Sequence, residues 1–150
     1  MMRLPLAAVL LTAGVAVADD AAAKKFLKTL EGSYTPVSMT RGGESAPDAF
    51  TKSASFVIKG DTFIVRFTEG GKTEDKAATL VVDPDQKPAA IDMTAKDGPE
   101  AGKPILGIVK VDRDTVTLCW GDRSDKAERP KEFSSTRENK NLLMVLKKVR

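Results

Sequence analysis

Cys119 is the single thiol in this 150-residue chain, and no histidine stands anywhere in it. A thiol becomes a nucleophile only as the thiolate, which a neighbouring base or cation must generate. Without histidine, Cys/His and Ser/His pairs are excluded, and so is the commonest metal ligand. Cys119 therefore reads as an interior structural cysteine. Asp83-Pro84-Asp85 places two carboxylates close together but lacks the dense oxygen-ligand spacing of a calcium loop, so it reads as a turn. A carboxylate pair for glycoside chemistry is set by separation in the fold, and none stands out. The expectation is a non-enzymatic protein with no catalytic residue, no metal and no cofactor.

What remains is binding. Phe56 and Ile58 fall on one face of a short apolar run. Phe63, Val65 and Phe67 alternate with Thr62, Ile64, Arg66 and Thr68, and Val116, Leu118 and Trp120 alternate with Thr115, Thr117 and Cys119. Phe56, Ile58, Phe63, Val65, Phe67 and Trp120 thus form a candidate lining for a small apolar or amphipathic ligand. The same pattern also describes a filled core, because eight-stranded barrels occur both packed and hollow. A cavity of roughly 300 Å³ or more inside the barrel would favour binding. A packed interior would favour a protein-interaction module.

The elements that must position these faces are β-strands. Runs over 33–40, 55–59, 62–68, 76–82, 90–95, 104–111, 115–120 and 142–149 carry strand-type composition. Turn residues at Gly60-Asp61, Asp83-Pro84-Asp85 and Asp112-Arg113-Asp114 separate three hairpins. Pro36 confines the first run to an edge or a bulge. Eight strands joined mostly by hairpins, without helices between them, predict an all-β fold, an antiparallel up-and-down barrel. A two-sheet sandwich is the alternative. Before them, Asp19 and Asp20 can cap a helix over Ala21 to Glu31, with Phe26, Leu27 and Leu30 on one side and Gly32 ending it. Pro47 to Lys52 can form one helical turn.

The segment 121–141 is different. It carries five acidic and six basic side chains and a single large apolar one, Phe133. Connections longer than about 12 to 15 residues are usually functional or disordered. Arg129, Pro130 and Phe133 are its candidate anchors and the basis of the interaction-module reading.

The first eighteen residues set the compartment. Met1, Met2 and Arg3 precede an uncharged apolar stretch from Leu4 to Val17 that closes on Ala16-Val17-Ala18. This is the pattern of a cleavable signal peptide, and it is shorter than the roughly 20 residues a membrane-spanning helix needs. Cleavage before Asp19 leaves one exported domain, periplasmic or extracellular, with no stable membrane anchor. With Arg3 removed, 23 basic face 21 acidic side chains. Their signs are mixed along the chain, so no nucleic-acid partner is expected. One cysteine also means no intrachain disulfide.

Several short motifs occur in a characteristic order: Leu30-Glu31-Gly32-Ser33-Tyr34, Ala90-Ile91-Asp92-Met93-Thr94, Gly98-Pro99, Gly102-Lys103 and Leu106-Gly107-Ile108. They continue with Leu118-Cys119-Trp120, Arg129-Pro130-x-x-Phe133-Ser134 and Leu142 to Leu146. In these the chain resembles an uncharacterised lipocalin-like secreted domain of planctomycete-type bacteria, over residues 29 to 150. The resemblance implies a calycin-type barrel and export, with no established activity. Gly32-Ser33-Tyr34 also resembles the G-x-W opening of lipocalins, with Tyr34 in place of the tryptophan. That likeness implies an aromatic plug at the barrel base beneath a late basic side chain, either Arg150 or Lys148.

Overall fold

The computed structural model describes residues 16–99, 101–123 and 128–150, with side chains from Asp20 onward. The expected signal segment therefore lies largely outside the described residues. Helix α1 (Ala16–Leu30) is followed by β1 (Gly32–Arg41), β2 (Glu44–Ser45), α2 (Asp48–Ser53), β3 (Ser55–Lys59) and β4 (Thr62–Glu69). Then come β5 (Lys72–Asp83), β6 (Ala89–Ala95), β7 (Pro104–Asp112), β8 (Thr115–Trp120) and β9 (Leu142–Lys148).

From β3 to β9 every strand pairs antiparallel with the next, and β1 pairs with both β3 and β9. That closure makes an eight-stranded up-and-down barrel, to which β2 adds a two-residue flap on β1. A closed sheet leaves no long unpaired edge, which suits a domain with no disulfide to hold it. The sandwich alternative is excluded.

Two local features depart from expectation. Helix α1 is described from Ala16, so Asp20 lies within it and does not cap it; Ala16 and Ala18 favour helix there, alanine being the strongest helix former. Strand β5 begins at Lys72, because Gly70-Gly71 turns the chain tightly after β4 and the polar segment Lys72–Asp75 pairs with Glu69–Arg66. Arg66 and Asp75, directly opposite there, form a bidentate ion pair at 2.8 and 3.0 Å. Pro36 sits at a bulge between Pro36 and Ser38, and Val37 beside it is exposed.

The two ends of the barrel are built differently. The ends of β1 and β9 near Gly32 and Lys148, the β3–β4 turn and α1 form a base. The opposite end carries α2, the β4–β5 turn and the start of the 121–141 segment. The base is closed by α1, whose Leu30 is completely buried and whose Ala23, Phe26 and Leu27 pack on the core. β1 and β3 pair only at the base, over Gly32–Tyr34, and no register pair joins them toward the other end. There α2 lies beside the gap, with Phe50 against Phe67 at 6.0 Å between ring centroids.

Candidate functional site

Tyr34 plugs the base. It is 1 % exposed and donates its hydroxyl to the Leu30 carbonyl at 2.6 Å, tying the end of α1 to β1. Burial raises the Tyr34 pKa above the ordinary phenol value. Lys148 stands directly opposite Tyr34 in the β1–β9 register, with its Nζ 5.9 Å from the ring centroid. Gly32 has φ at +151°, a backbone conformation that favours glycine, and the end of the Lys148 side chain lies over it. The closing cation is thus Lys148. Arg150 does not fill that role: it lies outside the barrel, paired with Asp114 at 2.8 Å, because the inward register ends at Lys148.

Above the plug, the six expected lining residues divide into two groups. Phe56, Ile58 and Phe63 are at most 3 % exposed, and Phe56 and Phe63 stack at 5.7 Å. They form a solid floor with Leu80, Val82, Leu118 and Leu146. Val65 and Phe67, the next inward residues along β4, are only partly buried. The same change runs along β9, from Leu146 and Met144 to half-buried Leu142, and along β6, from Ile91 to Met93. Ile105 on β7 completes a half-exposed apolar ring at the α2 end.

Trp120 sits at the junction of floor and ring. It is 2 % exposed, and its indole N–H has no hydrogen-bond partner among the described residues. Gly107, directly opposite on β7, makes room for it: a Cβ there would lie 2.6 Å from Trp120 Cε3. A buried donor without an acceptor costs about 1–3 kcal/mol, so an acceptor is called for. Composition singles out Trp120 as the sole tryptophan, but neither the orphaned donor nor Gly107 beneath it can be read from strand periodicity.

The part of the segment described from Glu128 onward lies against the outer wall formed by β6, β7 and β8. Arg129 donates to Asp92 Oδ1 at 2.6 Å and to the Gly107 carbonyl at 2.8 Å. Pro130 is buried, and Phe133 lies under Lys110 with Nζ 4.5 Å from its ring centroid. Cys119 Sγ donates to the Ser134 carbonyl at 3.4 Å. Burial pushes the thiol pKa up, against smaller opposing effects from Ser134 and Asn141. Arg129, Pro130 and Phe133 therefore act as a strap that faces the barrel.

A second concavity opens at the base. A cleft of about 750 Å³ runs between α1 and the end of β5, lined by Ala23, Leu27, Leu80, Val81 and charged residues that include Lys24 and Asp83. It lies outside the barrel and so is not the interior cavity the sequence raised. Its lining carries four carboxylates, Asp20, Glu31, Asp61 and Asp83, against two lysines, Lys24 and Lys28. Among the described residues, no three His, Cys, Asp or Glu side chains meet as a metal would require. No helix there is long and apolar enough to cross a membrane. No protein family, curated protein or solved structure matches the chain.

Proposed function

We propose that this is an exported, non-enzymatic lipocalin-like protein that holds a small amphipathic molecule in the α2-end mouth of its barrel. The observation that carries the reading is the gradient of burial along the inward face. Tyr34, Phe56, Ile58 and Phe63 are closed off from water, whereas Phe67, Met93, Ile105 and Leu142, further along the inward face, are only partly buried. Burying such surface releases about 25 cal/mol per Å², so an apolar chain seated there would be held without any chemistry. The ordered motifs shared with the secreted lipocalin-like domain support the same reading, and the signal-type N-terminus supports export.

The alternative, contact with a protein partner through 121–141, has less behind it, because Arg129, Pro130 and Phe133 are used against the protein's own wall. Native mass spectrometry after incubation with a lipid extract tests the proposal. The wild-type protein should retain added mass, Ile105→Glu in the mouth should lose it, and Val81→Glu in the basal cleft should keep it. Retention by Ile105→Glu together with loss in Val81→Glu would move the site to the cleft and overturn the mouth reading.

A further inference from the structure

The cleft at the base holds about 750 Å³, within the range of small-molecule sites, and its two walls differ in charge. The α1 side carries Asp20, Lys24, Lys28 and Glu31, two carboxylates against two ammonium groups, with Asp20 and Lys24 at the four-residue spacing that lets helix side chains offset one another. The other side, made by the β3–β4 turn and the end of β5, contributes Asp61 and Asp83 and no cation to the lining. The chain as a whole is net positive, at +3, so this negative excess is local. Asp83 is occupied with its own turn, accepting from the Asp85 backbone N–H at 3.1 Å and from Gln86 Nε2 at 3.3 Å. Asp61 is exposed, and among the described residues no lysine or arginine forms an ion pair with it. Its backbone carbonyl accepts the Leu80 N–H at 2.7 Å, which fixes the turn against β5. Next to Leu80 stands Val81, a large apolar side chain left 63 % exposed, which lines the same cleft as half-buried Leu27 of α1. Uncompensated carboxylate and wet apolar surface thus border one open space.

We propose that this cleft is a second binding site, separate from the mouth, for a small cationic amphiphile whose ammonium head pairs with Asp61 while its chain covers Val81 and Leu27. Both parts of such a molecule find a complement there. Covering Val81 removes apolar surface from water, at about 25 cal/mol per Å². The head gains an exposed ion pair, modest and sensitive to salt. A carboxylate or phosphate head would instead meet two carboxylates on the barrel side, with the α1 lysines already balanced by Asp20 and Glu31. A polyamine without an alkyl chain would leave Val81 in water. The volume suits a molecule of that size, whereas a peptide partner would need a broader face than this enclosed space offers.

The test is calorimetric titration of the purified protein with octylammonium and with octanol, which differ only at the head. Octylammonium should bind about fivefold tighter at low ionic strength, the most that one exposed ion pair supplies, and the difference should shrink as salt is added. Asp61→Asn, which suits the same turn, should remove most of the difference while an unchanged thermal midpoint confirms folding. Val81→Ser should weaken both ligands about threefold, through lost apolar contact. Ile105→Gln, a neutral change in the mouth, should leave the difference between the two ligands as it is. Equal binding of both ligands, or a preference for the ammonium that survives Asp61→Asn, would overturn the cleft assignment. A preference lost in Ile105→Gln and kept in Asp61→Asn would place the cation in the mouth and overturn it equally. The mouth reading stands or falls separately, on retention of lipid by the wild type and its loss in Ile105→Glu.

Discussion

Tyr34 shows how much of the base depends on one hydroxyl. Its hydrogen bond to Leu30 is one of the links that keep the α1 terminus on the barrel, and the raised pKa means that the folded state binds the phenolic proton more tightly than the unfolded chain does. As pH rises past the ordinary phenol range, near 10, the unfolded chain ionises first. Stability is therefore complete below that range and is lost as pH climbs toward the folded-state pKa. Tyr34→Phe should lower stability at neutral pH by about 1–3 kcal/mol, the range for a buried partner left unpaired. The variant should also lose less on going from about pH 9 to about pH 11 than the wild type does. Because Tyr34 is the only tyrosine, phenolate absorbance followed alongside thermal melts reads this group alone. An identical alkaline loss in both proteins would contradict the assignment. The sequence offered Lys148 and Arg150 equally as the cation over this ring. Only the register, which places Lys148 opposite Tyr34, separates them.

Among the elements, the strap and the strands differ in how far the sequence reveals them. Strands β3, β4, β6, β7 and β8 are legible because their apolar residues alternate and turn residues bound them. The first four residues of β5 were not, since Lys72–Asp75 carries no apolar residue and is held by cross-strand pairs such as Arg66–Asp75. Asp20 lies inside α1 and does not cap it, with the helix continuing through Ala16–Asp19 before it. The strap was legible only as a set of anchors: Arg129 finds Asp92 37 positions away, a pairing no local pattern encodes. Cys119 reports on it. Buried and raised in pKa, the thiol should react slowly with a thiol-specific reagent in the folded protein. Arg129→Ala should release the strap and raise the labelling rate about fivefold, as expected for roughly 1 kcal/mol of lost closure. An unchanged rate would mean that Pro130 and Phe133 hold the strap without the arginine.

At the scale of the whole molecule the barrel is asymmetric, closed at one end by α1, Tyr34 and Lys148 and left apolar and partly open at the other. The alternating faces foretold a barrel interior, but they cannot show where along its axis the filling stops, since that depends on which side chains meet across strands distant in sequence. Phe56 and Phe67 read alike in the sequence, yet one is floor and the other rim. Trp120, the sole tryptophan, stands where the two meet, so its fluorescence is a direct probe of whether anything enters. The decisive measurement is a titration with a fatty acid brominated along its chain, since bromine quenches an indole only at close range. Saturable quenching of Trp120, reversed by excess unbrominated acid, is the expected result. Undiminished emission in the presence of bound brominated acid would contradict a mouth-bound ligand.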